Sequence, residues 1–374
     1  MTSSDAPSTT VLDAEAAYAV RPHPSPLPEA DRQAALAEPR FGTVFTDHMA
    51  RATWTAGAGW HDRRVEPYGP LQLDPAAAVL HYGQEIFEGL KAYPHEDGSV
   101  WTFRPWANAD RFAASARRIA LPELPREDFL AALTALVRTD SAWVPRGEEM
   151  SLYLRPFMFA SERFLGVRPS LEAEFLVIAS PVGPYFAGGV RPVSIWVAQD
   201  FHRAGAGGTG AAKFGGNYAG SLLPQGVAHA KGFDQVCFLD AATNSTLEEL
   251  GGMNVFVVHA DGRVSTPELT GTILEGVTRS SILRLLSDAG HEVAERRIPL
   301  AEITAGIADG SVAEVFACGT AAVITPIGRL AGADFDLTVG DGTSGAVTTR
   351  IRAQLTDIQY GRAADPHGWM HRLA

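Results

Sequence analysis

The sequence predicts a mixed α/β (α+β) protein of two domains, and three observations carry that prediction. At 374 residues the chain is longer than the roughly 100–200 residues of one ordinary domain. Strand-like and helix-like segments alternate along it, and one segment dense in proline and glycine interrupts them near the middle. Hydrophobic residues make up 46% and charged residues 20%, a globular balance with enough apolar side chain for two cores.

Residues 1–40 are rich in Pro, Ser, Ala and Glu, the composition of a partly flexible arm, so the fold is expected to begin near Phe41. FGTVFTDHM (41–49) and VWTFRP (100–105) read as strands, while 108–121 and 126–139 carry apolar residues at helical spacing. MSLYLRPFMF (150–159) and AEFLVIAS (173–180) return to a strand pattern, which closes a small N-terminal domain at 41–182. SPVGPYFAGGVRP (180–192) then holds three Pro and three Gly, and an interdomain linker is placed at 183–192. The larger domain, 193–374, opens with VSIWVAQ as a strand, a Gly-rich loop at 205–216 and a helix at about 217–230. DQVCFLD and MNVFVVHADGRVST read as strands, the second turning at Asp261-Gly262. TRSSILRLLSDAG is a helix stopped by Gly290, and two strands, AEVFAC and AAVITPIG, precede a last helix near 344–358.

Composition also excludes partners. The 31 basic and 43 acidic residues leave a net charge of −12, and no basic run exceeds an arginine pair, so no nucleic acid is expected. The first ten residues carry no positive charge and lead into no apolar run, and the apolar stretch at 311–328 contains Glu314 and is too short to span a bilayer. Cys237 and Cys318 lie inside apolar runs, where a thiol fills a core. The expectation is a cytoplasmic protein without a membrane partner.

The densest chemical signal is GAGGTGAAKFGGNYAGS, 205–221. A phosphate-binding P-loop needs Gly before its Lys and Ser or Thr after it, but Lys213 stands between Ala212 and Phe214. Gly205, Gly207 and Gly210 match a dinucleotide fingerprint in spacing, yet six residues separate them from the preceding strand. What remains is Lys213 itself, flanked by Gly210 and Gly215-Gly216, with no carboxylate beside it. Taken alone, it suits a solvated loop better than a ligand, although such glycines let a backbone approach a ligand closely.

AAKFGGNYAGS, together with FGTVFTDHM, LHYGQEIFEGLKAY (80–93), SLYLRP (151–156), LEELGGMNVFVV (247–258), LEGVTRSS (274–281) and CGTAAV (318–323), resembles the branched-chain amino-acid aminotransferases, fold-type IV enzymes of the pyridoxal-phosphate group. The resemblance implies a two-domain fold-type IV architecture with the active site between the domains. It implies pyridoxal 5′-phosphate as cofactor and transfer of the amino group of L-Leu, L-Ile or L-Val to 2-oxoglutarate.

Lys213 then matches the lysine that holds the cofactor aldehyde and moves the proton, Glu249 the acid on the pyridine nitrogen, and Tyr218 the hydroxyl on the phenolic oxygen. Arg111, Val277, Thr278 and Thr320 match the phosphate site, where Val277 and Thr278 open a helix whose free amides favour an anion. For substrate, Thr320-Ala321 match the turn that holds the α-carboxylate. Phe41, Tyr82, Phe87, Tyr153 and Tyr185 match pocket walls, and Arg155 beside Tyr153 resembles the receiver of glutamate's second carboxylate. A buried arginine needs a partner when no glutamate is present, so a tyrosine or backbone acceptor is expected there. Tyr82, Leu165 and Val167 resemble residues contributed across a homodimer interface.

Arg203 resembles an active-site loop arginine but is left outside the catalytic set. Gly252 stands where some members carry a ring-supporting hydroxyl. A cysteine pair found in some members is represented here by Ala322 and Thr325, so no thiol switch is carried over. The rival readings are another fold-type IV activity acting on D-amino acids or on aminodeoxychorismate, a nucleotide-binding oxidoreductase, and a cofactor-binding protein without turnover.

Overall fold

A computed structural model describes residues 17–185 and 189–374. Among these, two nine-stranded sheets organise the molecule. The first is built from β1 (Ala19–Val20), β2 (His48–Thr55), β3 (Gly59–Pro67), β4 (Glu85–Phe87), β5 (Leu90–Pro94), β6 (Val100–Phe103), β7 (Ser151–Ala160) and β8 (Glu172–Val182). The second holds β9 (Val193–Ala198), β10 (Gln235–Leu239), β11 (Leu247–Leu250), β12 (Asn254–His259), β13 (Val264–Pro267), β14 (Val293–Arg296), β15 (Val312–Gly319), β16 (Val323–Ala331) and β17 (Asp336–Thr338). The last strand, β18 (Met370–Arg372), returns to the first sheet.

The first sheet runs β1-β3-β2-β8-β7-β5-β6-β18, with β4 on β7. Helices Pro105–Arg118 and Arg126–Thr139 cover one face, where Phe112, Phe129 and Phe175 cluster with ring centroids 5.5–6.2 Å apart. The second of these helices follows the expected 126–139 limits, and its Glu127, Asp128 and Arg138 sit at the ends that suit the helix dipole.

The second sheet runs β11-β10-β9-β16-β15-β12-β13-β14, with β17 on β16. Its central strands are buried on both faces, as a continuous apolar run requires. Along β12, Val255 and Val257 enter one core, whereas Phe256 and Val258 enter another with the helices Val277–Asp288 and Ala346–Gln359. The expected hairpin at Asp261-Gly262 forms between β12 and β13, and Gly262 takes the positive φ the turn needs.

Three expectations need correction. The fold begins before Phe41: Tyr18 is fully buried in the first core, β1 pairs with β3, and Glu29–Ala37 is helical, while residues 1–16 of the expected arm lie outside the described residues. One aromatic among alanines gave too little periodicity to signal this. The strand expected at 41–49 begins only at His48, because residues 41–47 are turn and loop. Of the linker at 183–192, residues 186–188 lie outside the described residues. The division at 193 also does not hold to the end of the chain, since β18 pairs with β6 and Leu373 is buried in the first core.

The two halves meet over the segment around Lys213. Phe87 N donates to the Lys213 carbonyl at 3.0 Å, and Gly215 N donates to Glu85 at 2.6 Å. Arg104 adds bonds to the hydroxyls of Ser280 and Ser281 at 2.8 and 2.7 Å.

Candidate active site

Lys213 lies two residues before the helix Gly215–Ala230, and its backbone is fixed from the other half of the molecule. Its N–H donates to Ser115 Oγ at 2.9 Å, while Asn217 Nδ2 donates back to the Thr209 and Ala212 carbonyls and pins the Gly-rich loop. The ammonium donates to the Tyr218 hydroxyl at 2.9 Å and stands 4.6 Å from the centre of the Phe87 ring. Tyr218 follows by five residues because the first helical turn brings it beside the lysine.

Glu249 occupies β11, 1% exposed, facing the same space. Arg203 Nη1 pairs with its Oε1 at 2.8 Å, and Leu274 N donates to the same oxygen at 2.8 Å. Oε2 takes no hydrogen bond from the described residues. Burial raises this carboxyl to about 7, against the opposing charge of Arg203. Arg203 itself lies 6.0 Å from the Tyr218 ring centre.

Across the space, Arg111 on the helix Pro105–Arg118 forks onto Glu88, with Nε to Oε1 at 2.7 Å and Nη2 to Oε2 at 2.8 Å. Its remaining Nη1 donates to the Glu275 carbonyl at 2.9 Å, beside the N-terminus of the helix Val277–Asp288. No side chain caps that terminus, so its first amides stay available to an anion. Gly276 is required there, because a Cβ would stand 2.1 Å from Asn254 Oδ1. Thr278 is buried in the first turn, and together with Val277 and Thr320 it lines a cavity of about 20 Å³.

Thr320 and Ala321 lie in the turn joining β15 to β16, which Gly319 and Val323 close as a pair. Val323 holds φ at 61°, a costly conformation for a β-branched residue, so its surroundings must enforce it. The Ala321 carbonyl accepts a bond from Lys91 Nζ at 2.8 Å.

Arg155 on β7 finds the expected tyrosine partner: its Nη2 donates to the Tyr153 hydroxyl at 2.9 Å, and its guanidinium lies 4.9 Å from the Phe87 ring centre. Its Nε is buried with no partner among the described residues. Phe41 packs on Tyr153 with ring centroids 5.0 Å apart. Gly89 makes room for the Tyr153 hydroxyl, which would stand 2.2 Å from a Cβ there.

Lys213, Tyr218, Glu249, Arg111 and Phe87 are thus brought together, Val277, Thr278 and Thr320 line the small cavity, and Tyr153, Arg155 and Phe41 pack beside Phe87. Tyr82, Leu165 and Val167 do not join that network within one chain. Tyr82 donates to the Leu165 carbonyl at the surface, where Leu165 is 60% and Val167 86% exposed. Tyr185 is half exposed at the edge of residues 186–188. Reading the residues missed Glu88, Ser115 and Lys91, and undervalued Arg203. Glu88 and Lys91 stand inside the quoted LHYGQEIFEGLKAY segment, but nothing local marks an acid or a lysine as buried.

A lysine held between a tyrosine hydroxyl and an aromatic ring, with a buried acid on one side and an arginine at an uncapped helix on the other, is the arrangement of a class of amino-group transferases. The family described as "Amino-transferase class IV" matches residues 85–330. The chain is 56% identical to the probable branched-chain-amino-acid aminotransferase of Streptomyces coelicolor, covering 95% of this chain and 98% of that one. A crystal structure of the Escherichia coli branched-chain amino acid aminotransferase superposes with a TM-score of 0.72 at 28% identity, covering 87% of this chain and all of that one. The T.th. enzyme of the same name, with pyridoxamine 5′-phosphate, gives 0.71 at 30% identity over 87% of this chain and 99% of that one. The chain belongs to the branched-chain-amino-acid aminotransferases of class IV.

Proposed function

We propose that this chain catalyses the reversible transfer of the amino group of L-Leu, L-Ile or L-Val to 2-oxoglutarate, with pyridoxal 5′-phosphate as cofactor, in two half-reactions at one site. The observation that carries the reading is the ring of contacts and chain neighbours running from Lys213 through Tyr218, Arg203, Glu249, Leu274, Glu275, Arg111 and Glu88 to Phe87, which returns to the Lys213 carbonyl.

The circuit fits that cofactor on its donors alone. Glu249 keeps one oxygen without a partner for a ring nitrogen, the uncapped amides of Val277 and Thr278 with Arg111 and Thr320 suit a phosphate, and Tyr218 suits a phenolic oxygen. When bound, the cofactor supplies an aldehyde that takes up the amino group and a ring that delocalises the charge left at Cα.

The chain's own residues do the rest. Lys213 Nζ, directed by its bond to Tyr218, would hold the cofactor's aldehyde end and would move the proton at the substrate Cα. Glu249, buried and held by Arg203 and the Leu274 amide, would stand at the ring nitrogen and hold a proton there. The amides of the Thr320-Ala321 turn hold the α-carboxylate. Phe41, Phe87, Tyr153 and Tyr185 wall off water from an aliphatic side chain, and Arg155 with its unpartnered Nε receives the second carboxylate of glutamate.

The active unit is a homodimer in the cytoplasm, with the first sheet, including the returning β18, as the small domain and the second sheet, from Val193 on, as the large one. Exposure of Tyr82, Leu165 and Val167 on one surface supports a partner there, because such apolar side chains gather at interfaces. Among the described residues no helix is long and apolar enough to cross a membrane.

The test is a visible absorption scan of the purified protein. A band that bleaches with L-leucine and returns with 2-oxoglutarate supports the assignment, and absence of any band after pyridoxal phosphate is supplied overturns it.

A further inference from the structure

Lys91 is a buried cation without an anion. It sits on β5 opposite Tyr153 of β7, is 8% exposed, and forms no ion pair among the described residues. Its Nζ crosses between the two sheets to the Ala321 carbonyl at 2.8 Å. Burial pulls the ammonium down to about 8, partly opposed by Glu149, which is itself tied to Arg352 at 2.7 Å. Keeping a charge in such a place is costly, and an apolar side chain would avoid the cost.

The location suggests what offsets it. Lys91 faces the cavity of about 20 Å³ that Gly319, Thr320 and Thr278 also line, space for about one water. The turn it grips ends at Val323, which holds a positive φ of 61°. A strained turn keeps its shape only where surrounding contacts over-determine it.

We propose that Lys91 is a positioning residue for the substrate carboxylate: by holding the Ala321 carbonyl it keeps the Thr320 and Ala321 amides aimed at the carboxylate and adds a positive field behind them. The inference rests on the transaminase reading above, in which that turn receives the α-carboxylate. It predicts that Lys91 governs affinity for the carboxylate rather than the proton-transfer step.

The experiment uses 4-methylvalerate, which has leucine's carbon skeleton and carboxylate without the amine, titrated calorimetrically into the cofactor-loaded enzyme. In Lys91→Met its Kd should rise about tenfold, the loss of one charge-assisted contact. KM for L-leucine should rise in parallel while kcat stays within about twofold, the split expected when binding shared by ground and transition states is lost. Lys91→Arg, which keeps charge and donors, should bring both back toward wild type.

A folded Lys91→Met enzyme with unchanged Kd overturns the proposal. If that variant does not fold, Lys91→Gln is read in the same way, and failure of both to fold while Lys91→Arg folds also overturns it, by making Lys91 a folding residue. Wild-type enzyme that neither binds 4-methylvalerate nor transaminates leucine instead overturns the transaminase reading, which separates the two failures.

Discussion

Glu88 and Glu249 are both fully buried, both face an arginine, and both border the same space, yet their acidities move in opposite directions. Burial pushes Glu88 up, but the charge of Arg111, its two-pronged bonds and the Asn108 amide outweigh it and hold the carboxyl below its ordinary range. Glu249 has one guanidinium contact and one amide, both on a single oxygen, and burial wins. The difference lies in how many donors meet the two oxygens. At the phosphate end the acid is saturated and serves to orient Arg111, whereas at the ring end it keeps an unmatched oxygen and a proton affinity near neutrality.

Breaking the saturated pair should have the largest effect. Glu88→Gln leaves Arg111 without its counter-charge in a mostly buried site, at a cost of about 3–5 kcal/mol. A markedly lower melting temperature and weakened cofactor retention are expected in thermal denaturation, and an unchanged melting curve would break the comparison. At the other end, Glu249→Gln should fold well but lower kcat about 10²–10³-fold, the scale of losing one preorganised electrostatic partner of the reaction. Steady-state kinetics with L-leucine measure it.

The opposite shifts also predict opposite pH behaviour in the cofactor-free protein. For Glu249, whose native value lies above the unfolded one, the native state binds more protons between about 4.5 and 7. Its contribution is therefore fully present below about 4.5 and lost as pH rises through about 7, a change of about 3 kcal/mol. Glu88, lowered, contributes above about 4.5 and loses its share as pH falls through its depressed value. Denaturation at pH 5 and pH 8 should show a smaller difference in Glu249→Gln than in wild type.

Arg203→Met sharpens the same comparison, because it removes the charge that restrains Glu249. The alkaline loss of stability should move upward by about one pH unit, read from the same pH series. The smallest effect is expected at Gly252, where an added Cβ meets only Tyr218 Cε1 at 3.6 Å. Gly252→Ala should change stability by less than about 1 kcal/mol and leave kcat/KM within about twofold.

Reading the residues reached Arg111 but not Glu88, and named both Glu249 and Arg203 without pairing them. Lys213 became legible only through the resemblance carried by seven ordered segments, its glycines alone pointing to a solvated loop, whereas the anion-binding helix was legible from Gly276-Val277-Thr278 before an amphipathic run. The Arg111–Glu88 fork and the Arg203–Glu249 contact join residues whose proximity is set by sheet packing, and local periodicity carries no record of that. The same limit hid the burial of Tyr18 and the return of β18. Strongly patterned elements such as Arg126–Thr139 and β12 were legible because one stretch of sequence determines them.

The return of β18 ties the first sheet to the timetable of synthesis. β6 pairs on one side with β5 and on the other with a strand that emerges only after the entire second sheet has been made. During translation the first half can collapse around its helices, but one edge of its sheet stays open, with unpaired backbone groups exposed to neighbouring nascent chains. Closing that edge and seating the second half over Arg104 and Arg111 become late events. Shortening the chain before Met370 would remove the strand that ends the exposure.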